Sequence, residues 1–189
     1  MTARRHLYAV LSVVVLTLVG LTAVPSPASA SHLEGGHWAH DGLAHSQIYF
    51  VDHTGAFWPV TSSTYTWNQA RGVDSYYVTR CPNSNLHCTD VYEFNDASQD
   101  YYGATFLPLT DSNGHFRWNA AVYLNDATVR NSTQARKTTC HELGHVLGLD
   151  HRYTTSSCMM QGDAVAQHIS RYPDAHDYDA LHSLYAHTN

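Results

Sequence analysis

The stretch that most constrains this chain is residues 140–151, CHELGHVLGLDH, which places three histidines and a glutamate at fixed spacings. The pattern H-E-x-x-H-x-x-G-x-x-H requires three His, one Glu and one Gly. With 15 His, 11 Gly and 3 Glu among 189 residues, composition alone would produce this pattern with a frequency of about 10⁻⁴ per chain. The spacing therefore indicates a functional site rather than a by-product of a histidine-rich sequence.

The spacing of these residues predicts a catalytic zinc site. On a helix, His141 and His145 lie one turn apart on the same face, so both imidazoles can face one ion. Catalytic zinc typically has three protein ligands, and Gly148 allows the chain to turn so that His151 becomes the third. Glu142 is then placed to act as the general base for an attacking water. A serine hydrolase would call for a G-x-S-x-G turn, which the sequence lacks.

The first thirty residues predict export. Arg4 and Arg5 precede an apolar run over 7–24, and the small-residue motif Ala-Ser-Ala at 28–30 follows it. This is the pattern of a secretory signal peptide cleaved after Ala30. An uncleaved membrane anchor is the alternative, because the run approaches spanning length, but the cleavage motif favours removal. We expect a secreted, extracellular protein that has no membrane association after cleavage.

The mature chain, residues 31–189, suits one domain. We interpret 31–46 as an irregular N-terminal arm and 47–189 as the catalytic domain. Without Arg4 and Arg5, the 10 basic residues fall to 8 against 16 acidic ones, a formal charge of −8. This charge argues against nucleic acid or an anionic membrane as a partner. We expect a monomer that acts on protein or peptide substrates.

The order of predicted elements indicates an α+β fold. Strands are predicted at 47–51, 75–79, 90–95, 102–109 and 116–125. Helices are predicted from Pro59 to Gly72, from an N-cap at Ser132 or Thr133 to Gly148, over 163–172 and over 175–187. A strand, a helix, several strands and then helices are typical of a single α+β domain.

The motif HELGHVLGLDH resembles the signature of the metzincin zinc endopeptidases. In that clan a tight turn containing methionine follows beneath the zinc, and SSCMM at 156–160 is similar to it, with Met159 as the better match and Met160 as the alternative. The segments YGATFLP, AAVYLND and HDYDALHSLY resemble the edge strand, its neighbour and the C-terminal helix of matrixin-like domains. The small size is also similar to the snapalysin-like secreted proteases. The resemblance covers about residues 47–187.

The resemblance implies one metzincin-like zinc protease domain: a twisted mixed β-sheet, an active-site helix, a methionine turn and a C-terminal helix. It implies His141, His145 and His151 as ligands of one catalytic Zn²⁺, Glu142 as the catalytic base, and a substrate extended along an edge strand within 102–109. Snapalysin-like proteases have Asp as the third ligand, whereas here His151 occupies that position and Asp150 precedes it. Whether residues 31–46 are an inhibitory pro-segment stays open.

The four cysteines predict two disulfides, since export favours their oxidation. Cys81 and Cys88 bracket a short turn-rich loop and form a natural local pair, which leaves Cys140 with Cys158. A cysteine zinc site would show C-x-x-C spacing, and the sequence contains none.

Two further groups of polar residues are candidates for metal binding. The arm carries histidines that offer a second metal site or a block of the cleft, although we interpret them as solvated: His32, His37, His40 and His45. Calcium is a candidate for several acidic and amide side chains, namely Asp111, Asn113, Asp126, Asp174 and Asp177. The sequence has no D-x-D-x-D-G loop, so calcium is without support and these residues are interpreted as solvated turns.

The sequence thus predicts a secreted zinc endopeptidase. The alternative is a secreted zinc-binding or protein-binding module that keeps the protease fold without turnover. Substitution of Glu142 distinguishes the endopeptidase from the binding module, because a general base that is not a zinc ligand is needed for turnover but not for zinc binding.

Overall fold

The computed structural model describes residues 33–187, so the predicted signal peptide lies outside the described residues. The elements follow the order β1 (Ser46–Asp52), α1 (Val60–Trp67), β2 (Val73–Val78), β3 (His87–Phe94), β4 (Gly103–Phe106), β5 (Ala121–Asn125), α2 (Ser132–Val146) and α3 (Ala175–Leu184). The predicted α+β class is confirmed. Within residues 33–187, none of the helices has the length and apolar character needed to cross a membrane.

The five strands form one mixed sheet in the order β2-β1-β3-β5-β4. Strand β1 is parallel to both of its neighbours, so that Phe50 lies opposite Tyr77 of β2 and Thr89 of β3. Strand β5 is parallel to β3 and antiparallel to β4. Strand β4 is therefore an edge strand, and one side of its backbone is unpaired among the described strands.

Successive side chains along each strand point to opposite faces of the sheet, so that one face packs into the core and the other carries aromatic residues. In β1, Ile48 and Phe50 are fully buried, while Tyr49 between them points to the other side. On that side Tyr49 stacks on Tyr76 of β2 with ring centroids 5.0 Å apart. Helix α1 packs on β1 and β2, and α2 packs on α1, β4 and β5. The core thus lies between the helices and the sheet, directly behind the motif-bearing helix α2.

Two buried tryptophans fix the position of α2. The indole Nε1 of Trp67, at the end of α1, donates a 2.9 Å hydrogen bond to the carbonyl of Cys140. The indole of Trp38, from the arm, donates a 2.8 Å bond to the carbonyl of Val146. Both side chains are 0% exposed. Buried indole N–H groups that find such acceptors resist displacement, so they hold α2 in a defined position.

Several predicted boundaries differ from the structure. Helix α1 ends at Trp67 rather than at Gly72, because the Asn68 side chain accepts a 2.7 Å bond from the backbone N–H of Ser75 and the chain turns into β2. Strand β3 begins at His87, three residues earlier than predicted, and β4 and β5 are shorter than predicted.

The predicted strand over 116–125 and the predicted N-cap of α2 also need correction. The first half of 116–125 is not part of β5, since the Phe116 N–H donates to the carbonyl of His37 at 2.7 Å instead of to a strand. The N-cap of α2 is Asn131 rather than Ser132 or Thr133, and its side chain accepts a 2.9 Å bond from Gln134 N.

The helix predicted over 163–172 is wrong. This segment contains a turn in which Asp163 accepts hydrogen bonds from the backbone N–H groups of Val165 and Ala166, at 2.8 and 2.7 Å. The turn does not continue, because His168 has a φ of 54°, in the left-handed region that a right-handed helix excludes.

Candidate metal centre

Helix α2 carries three of the four predicted site residues on one side. His141, Glu142 and His145 are only 5–6% exposed, and they face a cleft. The opposite side of α2, with Leu143 and Val146 at 0% exposure, packs into the core. The helix thus presents its polar groups to the cleft because its apolar face is fixed by the core.

The structure brings the three predicted ligands together. The Nε2 atoms of His141 and His145 are 3.1 Å apart. The ring of His151 lies 5.0 Å from that of His141 and 4.7 Å from that of His145, between centroids. One nitrogen of each ring lies within 4.8 Å of the others. Three imidazoles in this arrangement can surround a single ion.

Gly148 makes the return of His151 possible. Its φ of +100° is in the left-handed region that favours glycine, and it ends the last turn of α2. A Cβ at this position would lie 2.7 Å from the carbonyl oxygen of Gly36. Any side chain here would meet the arm as well as a strained backbone, so the turn depends on glycine.

The other nitrogens of the two helix histidines are held by backbone carbonyls. His141 Nδ1 lies 2.8 Å from the oxygen of Cys158, and His145 Nδ1 lies 2.7 Å from the oxygen of Leu149. A carbonyl only accepts, so both Nδ1 atoms carry the proton and both Nε2 atoms keep a lone pair. This is the tautomer that a metal-ligating histidine uses, and the residues therefore fit a zinc ion.

Burial and charge act differently on these two histidines. Burial lowers the pKa of His141 well below its usual value, and the nearby Lys137 and His145 lower it further. Burial also acts to lower the pKa of His145, but hydrogen bonding to Glu34 and the charge of Glu142 outweigh it and raise that pKa. His141 is thus held neutral, in the form that binds metal.

Glu142 is positioned by β4. The Thr105 hydroxyl donates a 2.7 Å hydrogen bond to Oε2 of Glu142 and lies 3.0 Å from its backbone oxygen. The strand can approach this closely because of Gly103, where a Cβ would lie 2.9 Å from Cγ of Glu142. Burial raises the pKa of the Glu142 carboxyl, although His145 and the Thr105 bond oppose the rise. A carboxylate held in this way is a competent proton acceptor.

Sequence reasoning missed Glu34. This arm residue places Oε1 3.0 Å from Nδ1 of His145, and its backbone N–H donates to the carbonyl of Gly148 at 2.9 Å. Its carboxylate shares the Nδ1 proton with the carbonyl of Leu149 and so orients the ring. No local pattern marks this role, because the contact joins residues more than one hundred positions apart.

Sequence reasoning also missed Lys137, the only lysine in the chain. Lys137 is 3% exposed and lines the cleft, with Nζ 3.5 Å from Nδ1 of His141. That nitrogen already donates to Cys158, so it offers the ammonium no lone pair. Burial lowers the pKa of Lys137 to about 8. No carboxylate within residues 33–187 forms an ion pair with it.

The cleft is a trough of about 650 Å³ between α2 and the edge strand. The β4 side contributes Gly103, Ala104, Thr105 and Leu107, and the far wall contributes Gln161 and Gly162. The unpaired side of an edge strand thus borders the same space as the three histidines and Glu142.

A disulfide joins α2 to the methionine segment. The structure contains the Cys140–Cys158 bond, which connects the residue before His141 to the segment 156–160, and it also contains Cys81–Cys88. Met159 is 0% exposed and packs beside Gly144 of α2. Met160 is half-buried and bridges to Arg152 instead.

The acidic residues considered for calcium have protein partners. Asp174 and Asp177 both pair with Arg152, and together they form a capping box at the start of α3. Asp126 accepts a 2.7 Å hydrogen bond from the indole of Trp58. The other two, Asp111 and Asn113, share a turn in which the Asn113 N–H donates to the Asp111 carboxylate at 2.8 Å.

The arm histidines differ from one another. His32 lies outside the described residues, and His45 is exposed and lies 3.2 Å from Asp74. The interpretation of these histidines as solvated is wrong for His40, which is 6% exposed, and for Nε2 of His37, which is buried. None of the described arm histidines lines the cleft.

Comparison with known proteins gives a family match and distant structural similarity. A sequence model of the family Matrixin matches residues 84–186. No curated protein matches the chain. An archaemetzincin from Methanopyrus kandleri is 12% identical, with 76% of this chain and 97% of that one covered and a TM-score of 0.46.

Two further solved structures show similarity at the same level. High choriolytic enzyme 1, a hatching enzyme zinc-protease from the medaka fish Oryzias latipes, is 15% identical, with coverage of 84% and 96% and a TM-score of 0.47. Myroilysin is 15% identical, with coverage of 84% and 99% and a TM-score of 0.43.

Proposed function

This chain belongs to the matrixin family of zinc endopeptidases, and we propose that His141, His145 and His151 hold its catalytic zinc and that Glu142 is the general base. The observation that supports this assignment best is a convergence in one cleft. Three imidazoles, two of them with Nε2 lone pairs left free by their backbone contacts, a buried carboxylate and an unpaired strand edge all border the same space. These are the parts that water-mediated hydrolysis of a peptide bond requires.

The protein's own groups perform the positioning and the proton transfer. When bound, zinc acidifies the attacking water and polarises the scissile carbonyl. Glu142 accepts a proton from that water at a carboxylate oxygen and then delivers it to the leaving amine. The Thr105 hydroxyl holds Oε2 in place during both transfers. Met159, rather than Met160, is proposed as the methionine beneath the zinc, because it is the buried one that contacts α2.

The substrate is proposed to bind as an added strand on β4. The backbone of Gly103–Phe106 is hydrogen-bonded to β5 on one side, and its other side faces the cleft. An extended peptide can pair with such an edge through its main chain, which places a peptide bond near Glu142. Recognition of this kind depends on backbone conformation more than on side-chain identity.

Digestion of a mixed peptide library by the mature chain, residues 31–189, tests the proposal. We expect cleavage at internal peptide bonds, read by mass spectrometry as new termini within each peptide. Removal of terminal residues only, or a fully intact library, would contradict endopeptidase activity at this cleft. The second of these results would instead favour a zinc-binding module without turnover.

Hydrolysis is expected to fall on the acid side of its pH profile. The base works when ionised, and burial raises the pKa of Glu142, so activity is lost as pH falls through that raised value. Thr105→Val removes a hydrogen bond that favours the carboxylate, and it should move the acid limb to higher pH. Thr61→Val, at an exposed position of α1, is the matched control and should leave the limb in place. If Thr105→Val lost activity at the same acidic pH as wild type, this role of Thr105 would be contradicted.

Lys137 is expected to favour acidic side chains next to the scissile bond. Its ammonium lines the cleft and has no ion-pair partner among the described residues, so a substrate carboxylate can supply one. Lys137→Met keeps much of the side-chain length and should lower kcat/KM for library peptides with Asp or Glu beside the cleaved bond, by about 10-fold relative to neutral peptides. Arg71→Met, outside the cleft, is the control. An equal effect on all peptides would show a structural role only.

The proposal also includes export of the protein and the bounds of its segments. Residues 1–30 are proposed as a signal peptide, residues 31–46 as an N-terminal arm and residues 47–189 as the catalytic domain of a secreted monomer. The two disulfides support an extracellular setting, since such bonds persist in oxidising compartments.

A further inference from the structure

Four histidines from three separate parts of the chain meet away from the cleft. His37 and His40 come from the arm, His115 from the loop between β4 and β5, and His187 from the segment after α3. The ring of His37 lies 4.8 Å from that of His115 and 4.5 Å from that of His187, and the rings of His40 and His187 are 4.8 Å apart. One nitrogen from each of His37, His115 and His187 lies within 4.8 Å of the others. The histidines of the cleft meet the same condition.

The backbone holds two of these residues side by side. The N–H of His37 donates to the carbonyl of Gly114 at 3.0 Å, and the N–H of Phe116 donates to the carbonyl of His37 at 2.7 Å. These bonds make His37 and His115 partners in an isolated parallel bridge. A carboxylate oxygen of Asp111 lies 3.6 Å from Nδ1 of His115, and metal-binding histidines commonly have an acidic neighbour.

The cluster contains buried nitrogens that the described part of the chain leaves without a hydrogen-bond partner. Nε2 of His37 and Nε2 of His40 are both buried, and neither has a hydrogen-bond partner among the described residues. A buried polar atom without a partner destabilises the folded chain. A bound cation would satisfy such atoms.

We propose that His37, His115 and His187 bind a second zinc ion, with His40 beside them as a fourth donor. A donor set made only of imidazoles favours zinc and similar transition metals over calcium or magnesium. None of the four histidines lines the cleft, so this site is separate from the catalytic one. A metal here joins the arm and the C-terminal segment to the β4–β5 loop. The proposal stands whether or not the chain has protease activity.

Zinc content measured on the mature chain tests this site directly. After equilibration against a zinc buffer in the nanomolar range, we expect two zinc ions per wild-type chain by elemental analysis. His115→Gln should retain one, and His145→Gln, which removes a ligand of the cleft, should also retain one. The double variant should retain none. His53→Gln, at an exposed histidine that directly follows β1 and lies near Asp90, is the matched control and should retain two.

Thermal unfolding supplies a second measurement that does not depend on catalysis. In the His145→Gln background, added zinc should raise the unfolding midpoint, because an ion that binds only the folded chain stabilises it. Adding His37→Gln should remove this rise, and circular dichroism checks that the variant is folded. One zinc per wild-type chain, two in His115→Gln, or a rise that survives His37→Gln would each overturn the proposal.

Discussion

Glu142→Gln is expected to abolish proteolysis while zinc stays bound. Glutamine has the shape of glutamate and keeps an oxygen that can accept the hydrogen bond from Thr105, so the cleft keeps its geometry. It cannot accept a proton at neutral pH, and loss of a general base typically costs about 10²–10⁴-fold in rate. The side chain is not one of the three converging imidazoles, so the zinc content should not change.

Casein cleavage and zinc content, measured together on wild type and Glu142→Gln, check this expectation. Glu93→Gln makes the same chemical change at an exposed side chain of β3, where the carboxylate accepts a hydrogen bond from Gly55, and it should retain full activity. Similar cleavage by wild type and Glu142→Gln would exclude the assigned base. Loss of zinc from Glu142→Gln would show that Glu142 belongs to the metal site instead.

Removal of zinc is expected to eliminate hydrolysis completely and reversibly. A chelator such as 1,10-phenanthroline should leave no measurable casein cleavage, and dialysis into zinc should restore it. The reason is chemical, since in the proposed mechanism the ion acidifies the attacking water and polarises the scissile carbonyl. His145→Gln should produce the same loss without recovery, because it removes a proposed zinc ligand whose ring Leu149 and Glu34 hold in place.

The matched control for His145→Gln is His168→Gln, an exposed histidine in the turn after the methionine segment. It should keep both zinc and cleavage. Hydrolysis that persists after all metal has been removed, verified by elemental analysis, would contradict a metallopeptidase mechanism. Recovery with zinc in the His145→Gln variant would show that this imidazole is not a required ligand.

The core of the site could be predicted because it is local in sequence. His141, Glu142 and His145 share one helix, and Gly148 returns the chain to His151 within a few residues, so spacing alone determines the grouping. The same locality explains why the Cys81–Cys88 pairing follows from a short loop. The α+β class could also be predicted, from the order of the strand and helix patterns. That order does not change when the ends of the elements are misplaced by a few residues.

The parts of the candidate site that were not predicted depend on contacts between residues far apart in sequence, which no local pattern encodes. Glu34 meets His145 because the arm runs beside the turn at Gly148, and Thr105 meets Glu142 because β4 is the edge strand. Lys137 resembles any polar helix residue until α2 is packed in place.

In the segment 163–172 a local pattern predicts a helix that the structure does not form. Its composition favours a helix, but the Asp163 side chain captures the backbone N–H groups of Val165 and Ala166, and the chain then leaves the helical region at His168.

In the proposed binding mode, the open side of β4 makes the folding state of a protein the first criterion that decides whether it is a substrate. A chain segment can pair with Gly103–Phe106 only while its own N–H and C=O groups are not engaged elsewhere. Helices and strands inside a sheet do not meet this condition, whereas denatured chains and unstructured tails do. A native protein would therefore be protected by its own secondary structure, and digestion should begin at the regions that unfold most readily.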